Sequence, residues 1–152
     1  MLLIFNFFFC NISPENCLSI LDFLSTKTRV RYSETDQMGV VYYGNYAQYF
    51  ELGRTEWLRS KGISYKDMEN DGIMLPVISL NCEFKKSAFY DDVLTIKAIL
   101  KKKPGVRIEF DYEITNQHNE LVCTGNTVLV FINMKNNRPT RCPSYILDSL
   151  NT

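Results

Sequence analysis

The sequence predicts an α+β fold in which one long helix accompanies a five-stranded antiparallel sheet. Between residues 45 and 60 the apolar side chains recur three or four positions apart, as they do on one face of a helix. One segment before this helix and four segments after it are typical of strands, because they are rich in β-branched residues or alternate between apolar and polar residues. Turn-forming residues at 104–105 and 116–119 separate the last three segments as hairpins.

Composition narrows the class of protein before any motif is considered. The chain has 152 residues, which is enough for one domain with a sizeable core. Lys and Arg together number 17, as do Asp and Glu, so no electrostatic footprint for nucleic acid is expected. With His118 as the only histidine, one chain cannot build a histidine-based metal cluster. The cysteines are Cys10, Cys17, Cys82, Cys123 and Cys142. Because they are odd in number and form no C-x-x-C pair, we interpret them as reduced thiols in a cytoplasmic protein.

An apolar run opens the chain, and we interpret residues 1–26 as an extension that is not part of the core. The domain itself is expected to cover residues 27–150. The opening run is too short to span a bilayer. It also lacks the basic residues and the small cleavage-site residues of a secretory signal. We therefore favour a short apolar extension over a membrane anchor, with a helix start near Ser13 and Pro14 in its first turn.

The first strand is predicted at residues 26–32, and the long helix follows a polar, turn-forming segment. Asn45 is expected to cap the helix, with Gln48 completing a capping-box-like pair. Gly62 is expected to end it. In mid-helix Gly53 costs about 1 kcal/mol relative to alanine, which indicates that the helix lies close against a sheet.

Four further strands are predicted after a short helical turn at residues 63–72. They cover residues 75–84, 92–101, 106–114 and 121–134. The last of them is continuously apolar from residue 128 to 132, which is typical of a central strand covered on both faces. A single helix can cover only one side of a five-stranded sheet. We therefore expect a second subunit to cover the other side or an edge.

Three segments carry a resemblance to a known family: YSETDQMGVVYYGNY (residues 32–46), FELGRTEWLR (50–59) and CEFKKSAFYDD (82–92). They resemble the hotdog-fold acyl-CoA thioesterases, in the branch named for 4-hydroxybenzoyl-CoA thioesterase. The resemblance covers roughly residues 28–149. It implies a curved five-stranded antiparallel sheet wrapped around one long central helix. It also implies a homodimer or homotetramer formed by joining sheets, with active sites at the subunit interface.

The same resemblance implies roles for two residues of the first segment. Asp36 takes the position of the family's catalytic acid, and the backbone N–H of Tyr43 takes the position of the group that polarises the thioester carbonyl. A related bacterial branch, associated with the Tol-Pal system of the cell envelope, often has histidine at position 43. Tyrosine at this position argues against that branch and against a mechanism that needs an imidazole, whereas a backbone donor is unaffected by the side chain.

Thioester hydrolysis explains why such residues are needed. A carboxylate such as Asp36 can attack the carbonyl directly or take a proton from water, and the sequence leaves both routes open. The unpaired N–H groups at a helix start can hold the oxyanion, helped by the helix dipole. If Asn45 caps the helix, the free donors lie further along, near Tyr46 and Ala47.

Four more residues are candidates for substrate binding. Gly39 and Gly44 allow the backbone to bend and to approach the acyl group closely. Tyr42 and Tyr46 are candidates for the acyl pocket, although aromatic residues at helical spacing are more often part of a core. The phosphates of coenzyme A have weaker candidates, which are also consistent with a solvated edge: Lys101, Lys102, Lys103, Arg138 and Arg141.

Taken together, these residues predict hydrolysis of an acyl or aroyl thioester to free acid and thiol, without a metal or a redox cofactor. The thiol is coenzyme A or an acyl carrier protein, and no nucleic acid or membrane span is involved. A hotdog hydratase is disfavoured because His118 lies far along the chain from Asp36. A non-catalytic acyl-thioester binding module with the same fold is the alternative.

Overall fold

The computed structural model describes residues 22–150, which form a large sheet, one long helix and several shorter elements. The strands are β1 (Phe23–Arg29), β2 (Ile73–Met74), β3 (Val77–Phe84), β4 (Val93–Leu100), β5 (Arg107–Thr115), β6 (Leu121–Val130), β7 (Ile132–Asn133) and β8 (Arg138–Pro139). The helices are α1 (Tyr46–Ser60), α2 (Tyr65–Asn70) and α3 (Ser144–Ser149), and two 3-10 turns cover Tyr32–Glu34 and Tyr43–Asn45.

Five strands form one antiparallel sheet in the order β1-β4-β5-β6-β3. The three two-residue strands form a separate small sheet in the order β2-β7-β8. The large sheet and the single long helix confirm the predicted α+β class. Hairpin turns join β4 to β5 and β5 to β6 at the two predicted positions.

Helix α1 packs against the sheet through its aromatic side chains. The ring of Phe50 stacks on Tyr112 of β5 with centroids 4.5 Å apart, and Trp57 meets Phe110 edge-on at 5.0 Å. All four side chains are buried, and burying one such side chain contributes about 1.5–3 kcal/mol. A Cβ added at Gly53 would lie 2.8 Å from the Cγ2 atom of Ile96. This close approach confirms why a glycine stands in mid-helix.

The helix ends where the sequence predicts it. The φ angle of Gly62 is +75°, and its N–H donates to the carbonyl of Arg59, which closes the last turn. The short helical turn predicted at residues 63–72 is α2, and the Ser64 hydroxyl caps it by accepting from the Asp67 N–H at 3.1 Å. No helix between residues 22 and 150 is both long and apolar enough to cross a membrane.

The outer face of the sheet and its β3 edge differ in polarity. The outer face carries ion pairs such as Lys97 with Glu113 at 3.5 Å and Lys102 with Glu109 at 2.8 Å. The edge strand β3 instead leaves apolar side chains in solvent: Ile78 is 50% exposed, Leu80 46% and Phe84 53%. The β3 edge therefore contributes a row of apolar side chains to the surface of the described chain.

Strand β1 starts at Phe23, ahead of the boundary expected at residue 27. Phe23 pairs with Ile99 and Leu24 pairs with Ala98, so these residues belong to the sheet. They join it because their alternation continues that of the strand, with Leu24 packed against the core. Residues 1–21, including the helix start expected near Ser13, lie outside the described residues.

The prediction of one continuous strand over residues 121–134 is wrong. Strand β6 ends at Val130, and Ile132–Asn133 forms β7 in the small sheet. The backbone changes partners at this point, because the Val130 N–H donates to Pro76 and the Phe131 N–H donates to Val106. An apolar run is compatible with either arrangement, so the break was not visible in the sequence.

Candidate active site

The loop between β1 and α1 folds back on itself and presents Asp36 at its tip. Thr35 and Val41 pair as an isolated bridge, and the Asp36 N–H donates to the Val40 carbonyl at 2.9 Å. The N–H of Gly39, whose φ is +79°, donates back to the Asp36 carbonyl at 2.9 Å. Glycine tolerates this left-handed backbone at no steric cost. These bonds hold Asp36 in a fixed turn.

The two carboxylate oxygens of Asp36 have different surroundings. Oδ1 accepts a hydrogen bond from the Met38 backbone N–H at 2.8 Å, an arrangement that Asp commonly forms in turns. Oδ2 accepts no hydrogen bond from any residue between 22 and 150. The side chain is half-buried. One oxygen therefore orients the carboxylate while the other stays available for chemistry.

The capping role predicted for Asn45 is wrong. Asn45 has helical backbone angles, φ −75° and ψ −18°, and its side chain makes no cap hydrogen bond. Its Nδ2 instead donates to the Glu34 carbonyl at 2.7 Å. Gln48 does lie beside it, since Gln48 Nε2 donates to Asn45 Oδ1 at 3.4 Å. The side chain is thus engaged with the preceding loop rather than with the first helical turn.

The chain enters α1 through a 3-10 turn, and this decides which backbone donors are free. The Tyr46 N–H donates to the Tyr43 carbonyl, and the Asn45 N–H donates to the Tyr42 carbonyl at 2.9 Å. No acceptor for the Tyr43 N–H occurs within the described part of the chain. Between Tyr43 and Tyr46, Tyr43 therefore has the available N–H, and the Gly44 N–H likewise has no acceptor within residues 22–150.

Asp36 and Tyr43 line the same cavity, which has a volume of about 270 Å³. Its lining residues are Asp36, Met38, Val40, Val41, Tyr43, Tyr46, Phe84, Lys85, Lys86 and Ser87. Among the predicted site residues, this set contains Asp36, Tyr43 and Tyr46. Apolar side chains supply much of the remaining wall, so the cavity has the character of a site for an acyl group.

The other three predicted residues lie near the cavity without lining it. Gly39 shapes the Asp36 turn, and Gly44 stands where a Cβ would come within 2.7 Å of the Tyr42 ring. The Tyr42 ring packs on Tyr43 with centroids 4.5 Å apart. The Tyr43 hydroxyl is the main cause that raises the pKa of Tyr42, and the charge of Asp36 adds to it.

Tyr46 is the buried polar group of the cavity. It is 3% exposed and meets Phe84 edge-on at 5.0 Å. Burial raises the pKa of Tyr46 to about 12. Its hydroxyl therefore stays protonated at neutral pH and is able to donate a hydrogen bond into the cavity.

The cavity residues that sequence analysis missed come from the Asp36 loop (Met38, Val40 and Val41) and from the end of β3 and the residues after it. Phe84 forms an apolar wall, and Lys85 and Lys86 stand at the rim, paired with Glu83 at 2.7 Å and with Glu120. A pair of lysines directly after a strand was the available signal.

None of the lysines and arginines first considered for phosphate binding lines this cavity. Lys101 and Lys102 form ion pairs on the outer face of the sheet instead.

A second cavity, of about 540 Å³, lies beside the start of β3. Its wall includes Glu51, Arg54 and Thr55 of α1 together with Tyr65 and Val77. The Arg54 side chain is buried, and its Nε donates to the Tyr65 hydroxyl at 3.2 Å. The two cavities thus lie near opposite ends of the same edge strand.

Known proteins resemble this chain in both sequence and structure. YneP of Bacillus subtilis (strain 168), named a candidate acyl-CoA thioesterase, is 33% identical over 110 residues, which are 72% of this chain and 80% of YneP. The chloroplastic acyl-acyl carrier protein thioesterase ATL3 of Arabidopsis thaliana is 32% identical over 126 residues, which are 82% of this chain and 66% of ATL3. A DHNA-CoA thioesterase structure from Staphylococcus aureus matches with a TM-score of 0.78 and 41% identity, covering 83% of this chain and 85% of that one.

The sequence profile of the Thioesterase-like superfamily matches residues 30–150, which include every residue of the cavity. The sheet order, the single long helix and the structural match agree with that assignment. This chain belongs to the Thioesterase-like superfamily, as a thioester hydrolase with the hotdog fold that its motif predicted.

Proposed function

We propose that this protein hydrolyses an acyl-CoA or aroyl-CoA thioester to the free acid and coenzyme A, with Asp36 and the Tyr43 N–H as its catalytic groups. The single observation that carries this proposal is that Asp36 and Tyr43 line one cavity, while a carboxylate oxygen of Asp36 and the backbone N–H of Tyr43 have no partner in the described chain. Thioester hydrolysis requires such a pair: a base or nucleophile, and a donor for the oxyanion.

The Tyr43 N–H acts on the carbonyl oxygen. It is the first donor of the turn that leads into α1, where the helix dipole favours negative charge. As the carbonyl carbon becomes tetrahedral, the oxygen gains charge and its hydrogen bond to this donor strengthens. One such donor typically contributes about 3–4 kcal/mol to transition-state stabilisation.

Asp36 acts on the carbonyl carbon by one of two routes. As a nucleophile, Oδ2 attacks the carbon and the thiolate leaves, and water then hydrolyses the mixed anhydride to regenerate the carboxylate. As a general base, Oδ2 takes a proton from a water that attacks the carbon, and the leaving thiolate receives a proton. Neither route needs a metal or a redox cofactor, so we propose that the enzyme uses none.

The thiol part of the substrate is proposed to leave the cavity past Lys85 and Lys86. Both side chains are exposed at the rim, where ammonium groups are suited to phosphate groups. Coenzyme A carries three phosphates and the arm of an acyl carrier protein carries one, so coenzyme A gains more from two lysines. The relative ATL3, an acyl-acyl carrier protein thioesterase, supports testing an acyl carrier protein as the alternative.

The active unit is proposed to be a homodimer, or a tetramer made from two such dimers. Phe84 and Met38 line the cavity yet are 53% and 79% exposed in one chain, so a second surface is needed to close it. A two-fold pairing of β3 strands runs them antiparallel, which brings the Val77 end of one chain toward the Phe84 end of the other. The second cavity of each chain would then adjoin the first cavity of its partner.

The cysteines bear on where in the cell the protein is located. Cys82, Cys123 and Cys142 are free thiols, which is usual where the surroundings are reducing. We therefore propose a cytoplasmic location for the protein.

The variant Asp36→Asn tests the proposal directly. Asparagine can still accept the Met38 N–H, so the turn is retained, but it cannot act as a base or a nucleophile at neutral pH. Thiol release from acetyl-, isobutyryl-, palmitoyl- and benzoyl-CoA, measured with a colour reagent, should fall about 10²–10⁴-fold. Substrate binding should persist. Asp71→Asn, an exposed carboxylate outside the cavity, is the matched control and should retain parent activity.

Two results would overturn the proposal. If Asp36→Asn kept near-parent turnover on every thioester that the parent cleaves, Asp36 would have no catalytic role. If the parent bound these thioesters saturably but released no thiol, the alternative of a non-catalytic acyl-thioester binding module would hold. Running the same panel on acyl carrier protein thioesters decides which thiol is preferred.

A further inference from the structure

Glu34, two residues before Asp36, accepts three hydrogen bonds from the turn and helix that follow it and a fourth from Arg31. Its carbonyl accepts from Asn45 Nδ2 at 2.7 Å and from the Tyr42 N–H at 2.9 Å. Its carboxylate oxygen Oε2 accepts from the Tyr49 hydroxyl at 3.2 Å and from the Arg31 N–H at 2.7 Å. The loop that carries Asp36 is thus tied both to the turn that carries Tyr43 and to the helix behind it.

Among these bonds, the one from Asn45 joins the two catalytic groups most directly. Asn45 follows Tyr43 by two residues, and Glu34 precedes Asp36 by two residues. The Tyr42 bond lies on the other side of Tyr43, so the two bonds to the Glu34 carbonyl bracket the donor. Any shift of the turn relative to the loop would have to break one of them.

The backbone around Asn45 also bears on which donors are free. A helix cap by Asn45 would turn its side chain toward the first helical N–H groups and away from Glu34. Asn45 instead bonds to Glu34 and has helical backbone angles, and the helix begins through a 3-10 turn. That turn engages the Tyr46 N–H with the Tyr43 carbonyl, so of these two residues Tyr43 keeps an available N–H.

We propose that Asn45 is a positioning residue, whose side-chain amide holds the Glu34 carbonyl and so fixes the Tyr43 N–H opposite the Asp36 carboxylate. This inference rests on the proposed function, since it concerns how the two groups are aligned on one carbonyl. Its Nδ2 is partly buried and reaches across eleven positions of the sequence. Misplacement of a catalytic group by about 1 Å can cost about 10²-fold in rate.

Kinetics of Asn45→Ala give the first test. Alanine fits the helical backbone at this position, and the Glu34 carbonyl keeps its bond from the Tyr42 N–H, so the fold should persist. We expect kcat to fall about 10–100-fold with KM changed by less than about threefold. Gln48→Ala is the matched control, because it removes an exposed neighbour of Asn45 while leaving the Nδ2 bond intact. Parent kcat in Asn45→Ala would overturn the inference.

Infrared spectroscopy gives a readout that a purely structural role would not move. The probe is the acyl-CoA that the parent cleaves fastest in the panel above, isotopically labelled at its carbonyl carbon and bound to Asp36→Asn. Polarisation by the Tyr43 N–H should lower the carbonyl stretching frequency relative to the free thioester. In the double variant Asp36→Asn with Asn45→Ala, the frequency should return toward the free value, with the melting temperature little changed.

The outcomes separate the two proposals. If Asp36→Asn alone shows no lowered frequency, the oxyanion donor of the proposed function is wrong. If Asp36→Asn shows it and the double variant shows it unchanged, the positioning role of Asn45 is wrong and the proposed function stands. If the double variant fails to fold, Asn45→Gln in the Asp36→Asn background replaces it. In that variant the longer amide displaces the turn, so an unchanged frequency overturns the inference and a raised one supports it.

Discussion

Asp36 and Tyr43 contribute to the site through different kinds of group. Asp36 is proposed to act through its side chain, so replacement of that side chain tests it. Tyr43 is proposed to act through its backbone N–H, so replacement of its side chain alone should matter little. The two roles therefore call for different substitutions at residues that line the same cavity.

Tyr43→Pro should remove the donor without breaking the turn. Tyr42 has φ −59° and ψ 131°, the extended conformation that a residue before proline prefers. Proline is also tolerated at the first position of a helical turn, because its missing N–H has no helical partner there. We expect kcat for thiol release to fall about 10²–10³-fold, the usual cost of losing one oxyanion donor.

Tyr43→Phe and Tyr43→Ala are the controls for this experiment. Both keep the backbone N–H, and the Tyr43 side chain is 66% exposed, so kcat should stay close to that of the parent. A loss in Tyr43→Phe as large as that in Tyr43→Pro would assign the role to the hydroxyl. Parent activity in Tyr43→Pro would show that another group polarises the carbonyl.

Sequence reasoning predicted Asp36 and Tyr43 as catalytic groups but left the oxyanion donor open between Tyr43 and the residues near Tyr46. We propose that the alignment of this donor depends on the hydrogen bond from Asn45 to Glu34, two residues that local capping rules do not connect. Capping rules consider only the helix and its own first turn. They do not consider a contact with an earlier loop, and in this protein Asn45 forms that contact instead of a helix cap.

Helix α1 lies close to the sheet at two glycines, one on each element. At Gly53 of α1 a Cβ would meet the Cγ2 methyl group of Ile96 at 2.8 Å. At Gly125 of β6 a Cβ would lie 2.2 Å from the Phe50 ring and 2.9 Å from the backbone oxygen of Asn81. A ring and a backbone atom yield less readily than a methyl group, so the second site is the more restrictive one.

Alanine at these two glycines should destabilise the protein to different extents. Gly125→Ala is expected to lower the free energy of unfolding by about 3 kcal/mol, at the upper end for overpacking. Gly53→Ala should lower it by about 1 kcal/mol, because the gain in helix propensity offsets part of the strain. Urea denaturation measures both values.

Gly105→Ala serves as the control, since a Cβ there meets nothing within 4 Å and the residue lies in a turn. The free energy of unfolding should change by at most about 1 kcal/mol. If Gly125→Ala were no more destabilising than Gly105→Ala, the close packing of Phe50 on β6 would be wrong.

At the scale of the whole molecule, the β3 edge of the large sheet has no covering element among residues 22–150. Leu80 and Phe84 of β3 lie on the helix side of the sheet, because their partners in β6, Thr127 and Cys123, are buried. Both side chains are nevertheless about half exposed. An exposed apolar edge strand is a template for pairing with another strand. The site cavity ends at the same edge, so assembly and activity are expected to depend on the same residues.

Leu80→Lys should therefore weaken both the dimer and catalysis. A lysine on the helix side of β3 places a charge in the proposed interface, a common way for proteins to block edge pairing. Light scattering after size-exclusion chromatography should show a shift from dimer to monomer. Thiol release should fall in parallel and recover as protein concentration is raised.

Ser79→Lys is the matched control, because Ser79 lies on the same strand, is exposed, and pairs with Val128 of the outer face. It should remain a dimer with parent activity. A parent protein that is monomeric and fully active at assay concentration would contradict the proposed assembly.

The periodicity of the chain determined its class and its main elements. The helical spacing from residue 45 to 60 and the alternation in β5 follow directly from the geometry of helices and strands. Ile108, Phe110, Tyr112 and Ile114 are all buried, as that alternation requires. The motif at residues 32–46 likewise placed Asp36 and Tyr43 in a thioesterase.

Contacts between residues far apart in the chain decided the rest. Strand β1 begins at Phe23 because its first residues pair with β4. Strand β6 ends at Val130, where the backbone changes hydrogen-bond partners. The Asn45 side chain bonds to the Glu34 carbonyl and does not cap the helix. Lys85 and Lys86 reached the cavity only because β3 ends beside it. Local sequence encodes the period of each element, whereas its ends and neighbours depend on which groups compete for each hydrogen bond once the chain is folded.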